Sequence, residues 1–144
     1  MWTSGIRVLL AAAAAWFVAQ SIKIVIELVR YKRFNLLLFF ATGKMPSSHT
    51  AFATALTTAI FRVEGPTVGF AIAFCLTMIV MVDASGVRRA VGQHSKIINH
   101  MLEHWDEITP EAYNRKIKEI LGHTPLEVLC GGIIGLLAGW FCIF

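Results

Sequence analysis

The chain has 144 residues, 56% of them hydrophobic and 15% charged, with a formal net charge of +4. A soluble domain carries nearer a quarter of its residues charged, and here the apolar residues come in long blocks, so a water-soluble globular protein is excluded in favour of a membrane protein. The length suits one domain, residues 1–144.

The first block, Ile6–Val29, is long enough to cross the hydrocarbon core as a helix. It starts like a signal peptide, but its apolar run is longer than a typical h-region and no small-residue cleavage site follows, so it is expected to stay as a mature helix. Lys23 and Glu27 lie four apart within it, where snorkelling of Lys23 towards the interface is the expected behaviour. Phe34–Thr42 is about half the length of a span and is expected to be re-entrant or interfacial. His49–Phe61 is short and rich in Ala and Thr, as befits a span shielded by others. Pro66–Val82 and Pro125–Phe144 complete the set. The expected fold is therefore all-α: an integral membrane bundle of about four spans plus the short segment.

Between the last two spans runs a polar insert, 92–122. Ile97, Met101 and Trp105, flanked by Ile98 and Leu102, form a one-sided apolar stripe. Thr109 and Pro110 open a second amphipathic helix, with Tyr113, Ile117 and Ile120 on one face. Both are expected on the membrane surface. His100 and His104 are four apart, without a third ligand at a recognisable spacing, and no metal site is expected. Cys75, Cys130 and Cys142 show no disulfide or metal pattern and are expected to pack between helices. Gly131, Gly135 and Gly139 make a small-residue stripe suited to close helix contact, within the chain or in a homodimer.

Ten of the 13 basic residues, among them Arg30, Lys44, Arg88 and Arg89, fall on one face if the Phe34–Lys44 piece enters and returns. By the positive-inside rule that face is cytoplasmic, with both termini opposite, in the cell membrane.

Three polar clusters reach that face: "KMPSSH" at the start of the second span, "DASGVRR" at the end of the third, and "GHTPLE" at the start of the last. Ser47 and Ser48 at a helix N-terminus, with Lys44, Arg88 and Arg89, suit an anion. His49 and His123 are of the residue type that can supply an attacking group and a proton donor near neutral pH. Thr124 and Glu127 form a capping box by spacing. Each cluster alone also reads as an ordinary helix cap or membrane anchor; their convergence favours phosphoryl chemistry.

These residues resemble the type 2 phosphatidic acid phosphatase superfamily, which includes vanadium-dependent haloperoxidases, in its divergent branch of small membrane proteins. "KMPSSH" is similar to the superfamily's Pro-Ser-Gly-His motif, with Ser48 in the place of Gly. "GHTPLE" is similar to its His-x-x-x-Asp element, with Glu127 in the place of Asp. The resemblance implies a helical membrane bundle and a metal-independent phosphatase without a cofactor. His123 would be the nucleophile, Glu127 its orienting carboxylate and His49 the acid for the leaving alcohol. Lys44, Ser47 and Ser48 would bind phosphate, with Arg88 and Arg89 in support by inference and Asp83 as a further supporting group. No match to the superfamily's upstream Lys-x6-Arg-Pro motif is expected, and Ile117 stands where an arginine normally precedes the nucleophile. The expected partners are the bilayer and a lipid phosphate, such as phosphatidic acid or phosphatidylglycerophosphate, or a prenyl diphosphate, and no nucleic acid. The alternative is a non-catalytic membrane protein that binds phosphate or anionic lipid.

Overall fold

The computed structural model describes residues 2–32, 45–103 and 122–142. Five helices occupy them: α1 (Trp2–Tyr31), α2 (Ser48–Glu64), α3 (Val68–Ser85), α4 (Val87–Glu103) and α5 (Pro125–Phe141). No strand occurs among the described residues. The expected re-entrant segment, the second amphipathic helix and His104 lie outside them.

The core is made of small side chains. Ala15 and Ala19 of α1 meet Ala51 and Ala55 of α2, and Val8 and Ala11 meet Ala59. These pairings run α1 antiparallel to α2. The largest fully buried side chains are Thr50, Pro46 and Ser47, whereas Leu9, Leu10, Phe17, Ile72, Ile79, Leu136 and Leu137 face outward. Water would reverse this distribution. A bilayer permits it, because lipid tails are as apolar as leucine and helix association rests on close backbone approach. The same inversion marks α4, where Gly92, Ser95 and Asn99 are buried and the expected apolar stripe, Ile97, Ile98 and Met101, is exposed.

The glycine stripe explains how α5 docks. A Cβ on Gly131, Gly135 or Gly139 would fall closer than 3.0 Å to the carbonyl oxygen of Ser47, Ala51 or Ala55 respectively. The α2 and α5 backbones therefore touch in parallel over about two turns, from Gly131 to Gly139. The stripe is occupied within one chain, so a contact with a second copy needs another surface. α3 returns antiparallel to α2, joined by a Thr57–Thr77 hydroxyl pair at 2.8 Å and by Thr77 Oγ1 donating to the Ala53 carbonyl at 3.0 Å. Gly65 ends α2 with φ 74°, a conformation that side chains resist. At the far end of the bundle the Arg62 guanidinium lies 5.2 Å from the Trp140 ring centroid. Cys75 and Cys142 are exposed rather than packed between helices, because their faces of α3 and α5 have no neighbouring helix among the described residues.

Two stretches are long and apolar enough to cross a membrane: 4–30, and 68–102, which runs from α3 through the turn at Gly86 into α4. α2 and α5 have 17 residues each. They are therefore about 25 Å long, slightly under the usual hydrocarbon thickness. The end of α1, the start of α2, the end of α3 and the start of α5 all meet at one end of the bundle.

Candidate active site

At that end the start of α2 is capped by Ser47, whose Oγ accepts from the Thr50 amide at 3.4 Å and the Thr50 hydroxyl at 3.0 Å. The next amides, of Ser48 and His49, belong to the helix's first turn and have no intrahelical acceptor. They make this end of α2 electropositive. The Ser47 amide donates to the Glu127 carbonyl at 3.0 Å, which ties the start of α2 to the start of α5.

α5 begins with the expected capping box. Thr124 Oγ1 accepts from the Glu127 amide at 3.3 Å, and Glu127 Oε2 accepts from the Thr124 amide at 2.8 Å. The same Oε2 lies 3.4 Å from His123 Nδ1. A carboxylate only accepts, so Nδ1 is the protonated nitrogen in this pairing and Nε2 carries the ring's lone pair. The His123 amide donates to the Ala84 carbonyl at 3.0 Å, pinning the residue to the end of α3. His123 is buried.

A cavity of about 210 Å³ joins these pieces. His49, Asp83 and His123 line its polar end, and Trp16, Phe52, Ala53 and Val80 its apolar part. Three residues far apart in sequence thus share one space. A larger cavity of about 450 Å³, between α2, α3 and α5, is lined by residues such as Phe61, Phe70, Leu136 and Trp140 and by no titratable side chain among the described residues. The titratable side chains therefore line the smaller one. Among the described residues no group of three or more His, Cys, Asp and Glu is placed to hold a metal ion.

Ser47 and Ser48 are buried beneath the first turn of α2 and do not line the cavity. Ser47 serves as the cap. Ser48 Oγ accepts from Lys23 Nζ at 3.4 Å. Arg88 and Arg89 fall in the first turn of α4, at the same end of the bundle. Lys44 and the side chains of those two arginines lie outside the described residues.

Lys23 departs from expectation. It does not snorkel: only 3% of it is exposed, and its ammonium points inward to Ser48 while the Glu127 carboxylate attracts it. The reason is alignment, since the antiparallel packing of α1 on α2 sets Lys23 level with the start of α2. A signal for it was present in the sequence. Lys23 and Arg30 are separated by six residues, the spacing of the superfamily's Lys-x6-Arg-Pro motif, with Tyr31 in the place of proline. The contribution of Trp16 to the cavity had no such signal.

A small-residue helical bundle with two long apolar stretches defines the class of helical membrane proteins, and here a carboxylate-braced histidine shares one cavity with a second histidine. The chain belongs to the Divergent PAP2 family, which it matches over residues 5–138. It is also 36% identical over 140 residues to the uncharacterized membrane protein YuiD of Bacillus subtilis (strain 168), covering 90% of this chain and 89% of that protein. No solved structure matches.

Proposed function

We propose that this protein is a metal-independent phosphatase of lipid phosphates, working through a phosphohistidine. The observation that carries the reading is the shared cavity: His49 and His123 face one space, with Glu127 on the Nδ1 side of His123. His123 Nε2 attacks phosphorus, forming the N–P bond as the P–O bond to the alcohol breaks. His49 gives its proton to the leaving oxygen. Glu127 stabilises the positive charge that develops on the His123 ring. A water then attacks the phosphohistidine, His49 takes its proton, and the N–P bond breaks to release phosphate and restore both histidines.

The phosphoryl oxygens are held by the electropositive start of α2, backed by the buried Lys23 charge, with Lys44, Arg88 and Arg89 as further cations. Asp83 shares the cavity with both histidines and is a supporting group there. The substrate is a lipid monophosphate or a prenyl diphosphate, held by its tail in the bilayer. The clustering of basic residues supports a site on the cytoplasmic face of the cell membrane.

The test uses purified protein with a phosphorus-labelled lipid phosphate. An acid-labile phosphoprotein should form in the wild type and be absent in His123→Ala. His49→Ala should slow its formation most for poor leaving groups, which need the proton. Vanadate should inhibit and EDTA should not. Full turnover by His123→Ala would reject the mechanism. Binding of lipid phosphate without turnover by the wild type would leave an anion-binding membrane protein as the account.

A further inference from the structure

The shape and lining of the cavity bear on which lipid phosphate fits. α1 and α3 both pack on α2, yet no pair of Cα atoms between them lies within 8 Å. The cavity is the slot between them, floored by α2. Phe52, on that floor, is 37% exposed. Trp16 lies seven residues before Lys23 on α1, about 10 Å down the helix axis. The slot therefore descends from the histidines towards the hydrocarbon and opens sideways.

Deeper than His49, Asp83 and His123, the slot walls among the described residues are Phe52, Ala53, Val80 and Trp16. Only Trp16 among these carries a side-chain polar atom, and it is a donor on the indole edge. In a glycerolipid phosphate the first acyl ester hangs from the second carbon after the phosphate oxygen. Its carbonyl would enter this apolar stretch, leaving water without an assured partner. A prenyl or simple alkyl phosphate is hydrocarbon from its first carbon. The cavity volume of about 210 Å³ has room for a phosphoryl group and the first carbons of its ester, so the chemistry of the lining and not its size sets the preference.

We infer that the slot between α1 and α3 selects phosphate esters of a single unsubstituted hydrocarbon chain, prenyl or alkyl, over glycerolipid phosphates. This rests on the phosphatase reading above. The substrate slides in from the membrane with its chain along Trp16, Phe52 and Val80 and its phosphate between the histidines.

The experiment measures phosphate release by the full-length protein in detergent micelles. Four substrates are compared at equal mole fraction: farnesyl phosphate, dodecyl phosphate, a lysophosphatidic acid and a diacyl phosphatidic acid. The first two should exceed both glycerolipids in kcat/KM by about ten- to a hundredfold, the discrimination an apolar pocket exerts against an added polar group. Farnesyl against dodecyl then separates an isoprenoid from a linear chain as the better fit. Trp16→Phe removes the indole N–H and should slow all four substrates alike. Turnover of either glycerolipid within about threefold of the best alkyl phosphate overturns the inference. So does a selective loss of glycerolipid turnover in Trp16→Phe, which would reveal an indole bond to an ester carbonyl. Release from none of the four defeats the phosphatase reading itself, and the inference with it.

Discussion

Glu127 makes two contacts through one oxygen, and the roles proposed for them can be separated. Its Oε2 caps the Thr124 amide at 2.8 Å and faces His123 Nδ1 at 3.4 Å. Glu127→Gln keeps an acceptor for the cap but removes the charge. At 3.4 Å and an effective dielectric of about 20, a carboxylate stabilises an imidazolium by roughly 5 kcal/mol. Glu127 is 19% exposed, so water screens part of this, and the Gln dipole retains a share. About 3 kcal/mol of transition-state stabilisation should be lost, a fall of about 100-fold in kcat. The cap survives and only the attraction to Lys23 disappears, so the melting midpoint in detergent should fall by no more than about 3 °C. Thr124→Ala is the opposite perturbation. It removes the acceptor for the Glu127 amide, costing about 1 kcal/mol of stability, and leaves the carboxylate in place. Its turnover should stay within about twofold of wild type. Phosphate release and thermal melting of the two variants, side by side, check the pair. Near-full activity in Glu127→Gln, or an equal loss in Thr124→Ala, would show that Glu127 acts on the fold alone and refute its role at His123.

Gly135→Val should abolish the folded state, because its Cβ meets the Ala51 carbonyl and Thr54 at under 3.0 Å, while Gly132→Ala should fold normally, its nearest new neighbour being Met81 at 3.9 Å; size-exclusion profiles in detergent distinguish them. Lys23→Met removes a buried ammonium and replaces it with apolar volume, so melting should be little changed while the vanadate inhibition constant rises at least about tenfold. Unchanged vanadate affinity would show that Lys23 is structural. A single cysteine introduced at exposed Gln93 of α4, in a background lacking the native cysteines, should react with a membrane-impermeant maleimide only after the cells are opened, in keeping with a cytoplasmic site.

The apolar blocks, the helix starts at Ser47 and Thr124, and the capping box were legible in the sequence because each depends on neighbours within a few residues. The meeting of three polar clusters at one end also followed, since alternating helix directions carry them there whatever the packing. The tertiary structure alone decided what lies beside what. Periodicity along α1 cannot say which turn of α2 it faces, so Lys23 read as a residue reaching for the interface, when alignment with the start of α2 buries it against Ser48. The glycine stripe fitted a partner chain as well as its own, until the Ser47, Ala51 and Ala55 carbonyls were found against it. Ser47 and Ser48 read as phosphate ligands, because a hydroxyl at a helix start suits both an anion and a cap, and only the packing of α5 and α1 shows them turned inward. Trp16 joined His49, Asp83 and His123 for the same reason: a cavity between helices is set by their relative placement, which rests on contacts between residues distant in the chain.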